Sequence, residues 1–217
     1  NQKGISFLGD CPIYVAADSA DVWSNADLFD LQANGSPRVV AGVPPDYFSA
    51  TGQLWGNPLY LWDRAAAQNF SWWRARLKHC AQQFDLTRID HFRGLEAFWE
   101  VPADAPDASH GRWQPGPGAA FLDSLRQDYA TLPLVAEDLG DLTPQVHELR
   151  AQFALPGMRV LQFGFDGGDD NPHAPERISA DVICYAGTHD NNTTLGWLAD
   201  LTSEQLNQLK GRYGVGE

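Results

Sequence analysis

The chain has 217 residues, with 15 Lys and Arg against 28 Asp and Glu, a formal net charge of −13. A phosphate backbone or an anionic lipid surface would repel such a chain, which has no basic cluster, so nucleic acid and membrane are excluded as partners. An apolar share of 43% with 20% charged residues belongs to a packed globular domain, and without an apolar run of about 18 residues or a basic, cleavable start the protein reads as soluble and cytoplasmic.

Five apolar runs of strand length alternate with helical stretches, the pattern of repeated βα units around a parallel sheet. The first runs from Ser6 to Ala16, and a long connection from Asp18 to Pro58 follows it. Phe70, Trp73, Leu77 and Ala81 then recur with a 3.6-residue period, which predicts a helix leading into a second strand, Phe84 to Asp90. Another long connection, Phe98 to Gly118, carries Pro102, Pro106, Pro115 and Pro117. Connections of such length in a compact domain usually serve function. Phe121, Leu125 and Tyr129 mark the next helix and Leu132 to Glu137 the third strand. Thr143 as N-cap with Pro144 at the first helical position opens a helix that turns Val146, Leu149 and Phe153 inward. Strands at Arg159 to Phe165 and Asp181 to Ala186 come next, then a helix opened by Thr202 or Ser203 with Glu204.

Each strand is apolar on both faces, as a strand covered by helices or closed into a barrel must be. No G-x-G-x-x-G follows any of them, so a dinucleotide-binding sheet gains no support. The expected architecture is α/β, of the (β/α)8 TIM-barrel type. A complete barrel takes roughly 250 residues, so only its middle part, about five βα units, is expected here. Residues 1–217 would form one partial catalytic barrel domain with insertions at 18–58 and 98–118. A start at Asn1 without Met and an end just after Gly214-Val215-Gly216 also read as a fragment.

Cys11, Cys80 and Cys184 are far apart and form no C-x-x-C pair, so buried apolar thiols are expected. Neither D-x-D-x-D-G nor a His pair at i, i+4 occurs, and neither metal nor organic cofactor is expected. Eight Trp are many for this length, and several stand beside Gly, Pro, Asn or Asp, where exposed platforms for sugar rings are found. Trp72, Trp73 and Trp99 read as core residues. Trp113 and Trp197 sit in loop contexts and stay open.

Acids at strand ends carry the chemistry. Asp90 ends Leu86-Thr87-Arg88-Ile89-Asp90, Glu137 and Asp138 end Leu134-Val135-Ala136, and Asp190 follows Tyr185-Ala186-Gly187-Thr188-His189. In a βα barrel these ends converge on one mouth. Any one acid could be an N-cap of the following helix, but three unpaired carboxylates gathered for structure alone would be unfavourable. Paired carboxylates at a barrel mouth suit glycosidic bond chemistry, which needs one proton donor and one ionised partner. Arg88, two residues before Asp90 on the same strand face, would keep Asp90 ionised as nucleophile. Glu137, after an apolar run, would be partly buried and raised toward a proton donor.

These residues resemble the 4-α-glucanotransferases (amylomaltases, or disproportionating enzymes) of the α-amylase clan, from Gly9-Asp10-Cys11-Pro12-Ile13-Tyr14-Val15-Ala16 to Gly187-Thr188-His189-Asp190-Asn191-Asn192-Thr193. Val43-Pro44-Pro45-Asp46-Tyr47-Phe48-Ser49 and Gly52-Gln53-Leu54-Trp55-Gly56-Asn57-Pro58 look like the stretch that separates amylomaltases from ordinary amylases. The resemblance implies Asp90 as nucleophile, Glu137 as general acid and base, and Asp190 as a third acid that holds ring hydroxyls of the reacting glucose. It also implies that Asp10, Arg88, His91 and His189 line the same sugar subsite, and that Asp46, Tyr47, Phe48 and Trp55 form a lip along the glucan. The likeness covers strands three to seven in the family's order, so self-association through open barrel edges is expected. The substrate implied is a maltooligosaccharide or longer α-glucan, transferred with retention. A hydrolase of the same clan, and a non-catalytic glucan-binding or inert piece, remain as alternatives.

Overall fold

A computed structural model of the chain describes residues 3–46, 49–140, 142–165 and 170–214. It is mixed α/β and divides into two compact units, Asn1–Leu155 and Pro156–Glu217.

The first unit begins with β1 (Leu8–Pro12), α1 (Ala20–Ser24), β2 (Val39–Val43), β3 (Gln53–Pro58), α2 (Trp62–Ala67) and α3 (Ser71–Gln83). It continues with β4 (Leu86–Asp90), α4 (Arg93–Glu96), β5 (Ala97–Pro102), β6 (Arg112–Pro115), α5 (Gly118–Leu125), β7 (Leu134–Ala136) and α6 (Pro144–Gln152). β1, β4 and β7 form a parallel sheet with β4 in the middle, and Asp10 lies opposite Arg88 and Pro12 opposite Asp90. Every side chain of β7 is buried, as are Thr87, Arg88 and Ile89 of β4. The third strand is shorter than its apolar run because Pro133 has no N–H to give the ladder; its carbonyl instead accepts from the Thr87 N–H at 2.8 Å.

The core behind this sheet is aromatic. Trp73 and Leu77 of α3 and Phe121 and Leu125 of α5 are buried, on the faces that the helical period marks. The Tyr60 ring stands 4.9 Å from Phe29 and 5.4 Å from Trp73, and Trp73 meets Phe121 at 5.5 Å. The buried Tyr60 hydroxyl donates to the Ile13 carbonyl at 2.8 Å, as a buried phenol must find a partner. Trp72 and Trp99 are half-buried and pack on core clusters.

The two long connections hold strands as well as loops, which the sequence analysis did not anticipate. β2 and β3 from the first, with β5 and β6 in the second, make an antiparallel sheet in the order β3-β2-β5-β6. Gly42 is required where β2 bulges past β3, since a Cβ there would lie 2.5 Å from the Gln53 carbonyl oxygen.

The second unit contains β8 (Gly157–Val160), β9 (Val182–Tyr185), α7 (Thr194–Asp200) and α8 (Ser203–Tyr213), and β8 pairs with β9 in parallel. The expected strand from Arg159 to Phe165 ends early: after Val160 the chain tightens into a 3-10 helix, Leu161–Phe165. There the Gln162 amide turns in to donate to the Asn192 carbonyl at 2.9 Å, a bond that replaces ladder pairing. α8 opens with Thr202 as N-cap, in a capping box with Gln205. Trp197 packs on Phe165, their rings 5.3 Å apart. No described helix is long and apolar enough to cross a membrane.

Candidate active site

β4 delivers two side chains to one face two residues apart, Arg88 and Asp90. The Arg88 guanidinium donates to Asp90 Oδ1 at 2.7 Å and to Asp10 Oδ1, from β1, at 2.6 Å. The Arg88 side chain is 8% exposed while those of Asp10 and Asp90 are half in solvent. A buried cation therefore anchors two half-exposed carboxylates by charge-assisted hydrogen bonds.

Immediately after β4 the chain makes a sharp turn. His91 adopts a left-handed conformation, φ 51°, rare for a residue with a Cβ. The turn aims the His91 N–H at Glu137 Oε2, 2.8 Å away, while the Leu139 N–H donates to Oε1 at 3.0 Å. Glu137 itself continues β7 by donating its N–H to the Ile89 carbonyl at 3.0 Å. Burial pushes the Glu137 carboxyl up to about 7, with the Asp90 charge acting in the same direction and the two backbone N–H groups and Arg88 opposing it. Asp90 and Glu137 are thus held on neighbouring strand ends in unlike environments, one ion-paired to Arg88 and the other largely desolvated.

The half-buried His91 has its imidazole lowered to about 4 by desolvation and by the Arg93 charge, so it is neutral near pH 7. Its Nε2 is buried with no hydrogen-bond partner among the described residues, and Trp55 meets the ring edge-on at 4.8 Å. These groups line a cleft of about 420 Å³ that also includes Val43, Asp46, Gln53, Arg93, Trp113, Leu139 and Thr143. Asp46 lies on the cleft rim, where its carboxylate accepts the Ser49 N–H at 2.7 Å. Tyr47 and Phe48, expected on the same lip, lie outside the described residues.

Thr143 departs from its expected role. Its backbone has N-cap geometry, but its side chain makes no capping bond, and Oγ1 is buried with no partner among the described residues. Asp138, the second acid of its pair, turns away from solvent: its side chain is 1% exposed and faces Arg150 Nε of α6 at 3.6 Å. Asp190 and His189 belong to the second unit. They follow β9 in an exposed turn, with His189 Nε2 3.5 Å from Asp190 Oδ2 and the Asp190 N–H on Thr188 Oγ1 at 3.2 Å.

Trp113, Arg93 and the Asp138–Arg150 pair were not singled out as site residues from the sequence. The signal for the first was present: Arg112-Trp113-Gln114-Pro115, bounded by Gly111 and Gly116, is a short strand between breakers.

A family profile described as 4-alpha-glucanotransferase, glycoside hydrolase family 77, matches residues 1–214. The chain belongs to this family. It is 52% identical over 204 residues to a 4-alpha-glucanotransferase of Thermus thermophilus, covering 93% of this chain and 41% of that one. A Synechocystis 4-alpha-glucanotransferase is 50% identical over 217 residues, covering 99% of this chain and 43% of the relative. Among solved structures, an amylomaltase from Streptococcus agalactiae in complex with acarbose superposes with a TM-score of 0.91 at 41% identity, over 97% of this chain and 43% of that one. The chain thus spans about two fifths of the length of these relatives.

Proposed function

We propose that this chain supplies the reacting core of a 4-α-glucanotransferase, which moves α-1,4-glucan segments between maltooligosaccharides or starch and glycogen chains by a retaining double displacement. The observation that carries the reading is the Glu137 carboxyl, raised to about 7 by burial and fixed by the N–H of the residue that follows Asp90. A carboxyl near that value is protonated when substrate binds and ionised after one transfer.

In the first step Glu137 gives its proton to the glycosidic oxygen as the ionised Asp90 oxygen bonds to C1. The C1–O bond to the leaving chain breaks, leaving a glucosyl ester on Asp90. In the second, Glu137 takes the proton of an acceptor 4-hydroxyl, whose oxygen attacks C1 and expels Asp90. Retention by this route places the two carboxyls about 5 to 5.5 Å apart. Arg88 holds Asp90, and Asp10, paired to the same Arg88, lines the sugar subsite with it. His91 and Trp55 shape the sugar site, with Asp46, Tyr47 and Phe48 as lip, and Asp190 with His189 grips the hydroxyls of the reacting ring. Transfer exceeds hydrolysis when an oriented sugar hydroxyl reaches an effective concentration far above that of water.

The fold reading that accompanies this function is a (β/α)8 barrel of which the chain holds the middle units. The unpaired edge of β1, beside exposed Ile5, Phe7 and Leu8, supports self-association through that edge. Three free cysteines accord with a reducing, cytoplasmic setting.

Feeding maltotriose to the full-length gene product that carries this sequence tests the function. Glucose with maltotetraose and longer chains, without a matching rise in reducing ends, is the expected result. A rise in reducing ends that tracks substrate loss assigns the site to a hydrolase.

A further inference from the structure

The antiparallel sheet lends the cleft two tryptophans from opposite edges. Trp55 sits on β3 and Trp113 on β6, the outer strands of the order β3-β2-β5-β6, and both line the cleft that contains Glu137. Three strand spacings separate them, roughly 14 Å of sheet. Trp55 lies against His91, close to the acid.

Trp113 is held from behind. It lies directly opposite Trp99 in the β5–β6 ladder, their rings 5.1 Å apart and 68° inclined. Trp99 is itself tied down by its indole N–H, which donates to the Ala108 carbonyl at 2.8 Å. The Arg93 guanidinium sits 3.9 Å over the Trp113 ring, a cation–π contact that fixes the ring further. Even so, Trp113 is 41% exposed. A large indole, immobilised by Arg93 over its ring and by Trp99, still leaves part of its surface open to the cleft, and that part can pack on the C–H face of a pyranose while losing little side-chain entropy. Arg93 beside it brings N–H donors for the ring hydroxyls.

The side of the scissile bond follows from which carboxyl the cleft contains. Glu137, which meets first the glycosidic oxygen and then the acceptor hydroxyl, lines the same cleft as Trp113, so a glucan seated there would reach Glu137 from the side of the leaving chain and of the acceptor that replaces it. We infer that Trp113, backed by Trp99 and flanked by Arg93, is a stacking platform for a glucose unit of the acceptor chain beyond the one that reacts. This rests on the transferase reading above. Its consequence is that Trp113 sets acceptor length preference.

The test uses the full-length gene product with Trp113→Ala and Trp113→Phe, a saturating donor, and glucose, maltose and maltotriose as acceptors. Trp113→Ala is expected to raise the ratio of the maltotriose KM to the glucose KM about tenfold, the size of one lost aromatic contact, and Trp113→Phe to restore most of it. A lower kcat for every acceptor with that ratio unmoved would show a merely structural role and overturn the inference. So would a ratio equal to wild type. A separate arm measures maltotriose binding by calorimetry, with about tenfold weaker affinity expected for Trp113→Ala, and equal affinities overturn the platform. Because this arm needs no turnover, a wild-type protein that transfers nothing defeats the transferase reading while the binding arm still judges Trp113.

Discussion

The backbone N–H of His91 donates to Glu137 Oε2 at 2.8 Å, so the residue that follows Asp90 in the chain grips the other carboxyl of the site. The left-handed turn at His91 thereby couples the end of β4 to the end of β7.

One consequence is a pH dependence with a definite sign. Glu137 has a folded value of about 7 against 4.5 ordinarily. The first step needs its proton, so kcat/KM is expected to fall as pH rises past about 7. Stability follows the same group. Between pH 4.5 and about 7 the folded state keeps a proton that the unfolded chain has released, so this contribution to stability declines as pH rises through that window. Glu137→Gln is neutral at every pH. It should unfold at a higher temperature than wild type near pH 8, by the equivalent of roughly 2–3 kcal/mol, and lose that advantage near pH 4. Equal melting temperatures at both pH values would show that Glu137 is not destabilised as an ion.

Asp10 and Asp90 share Arg88, which allows their roles to be separated. Asp90→Asn removes the nucleophile and is expected to lower kcat by about three orders of magnitude or more with maltoheptaose affinity nearly intact. Asp10→Asn removes a partner of Arg88 and a subsite carboxylate but leaves the nucleophile, so a smaller loss, about tenfold to a hundredfold, is expected. Trapping of a covalent glucosyl intermediate in Asp10→Asn but not in Asp90→Asn, read by mass spectrometry, checks the division.

Asp138 follows Glu137 yet faces the opposite way, to Arg150 at 3.6 Å with 1% exposure of its side chain. The pair pins the peptide whose Leu139 N–H returns to Glu137. Removing one partner of a buried ion pair leaves the other charge less compensated, and Asp138→Ala should cost about 3 kcal/mol of stability by chemical denaturation. With the Leu139 bond loosened, Glu137 loses a stabiliser of its charge, and the alkaline limb of the pH–rate profile should move upward. A stability loss without that displacement would confine Asp138 to the scaffold.

Where the sequence could be read, a local signal and a tertiary demand coincided. Ile89 and Val135 are buried from both sides of a parallel sheet, and their apolar neighbours announce it. The Arg88–Asp90 contact follows from strand periodicity alone, and the chemistry of Glu137 from the apolar run before it. The antiparallel sheet was illegible because its strands are short and punctuated by Gly and Pro: Gly42, Gly56 and Pro115 sit inside or at the end of strands, where they are ordinarily read as breakers. Thr143 carries a capping signature, but its hydroxyl is buried without making the capping bond, which no local rule anticipates. The Asp138–Arg150 pair spans β7 and α6, a contact that neither segment encodes by itself.

Gly116 links the loop chemistry to the cleft. It follows β6 directly, its N–H donates to the Glu96 carbonyl at 2.7 Å, and a Cβ there would stand 2.3 Å from the Leu95 carbonyl oxygen. Its φ is ordinary, so the need for glycine comes from this close approach of backbone to backbone, not from dihedral strain. Gly116→Ala must push β6 away from α4, the helix that carries Arg93, and so separate the Arg93 guanidinium from the Trp113 ring. A stability loss of about 1–3 kcal/mol is expected from the overpacking, accompanied by a red-shifted, more quenchable tryptophan emission as Trp113 leaves its support. An emission spectrum and acrylamide quenching identical to wild type would show that β6 keeps its place by other contacts.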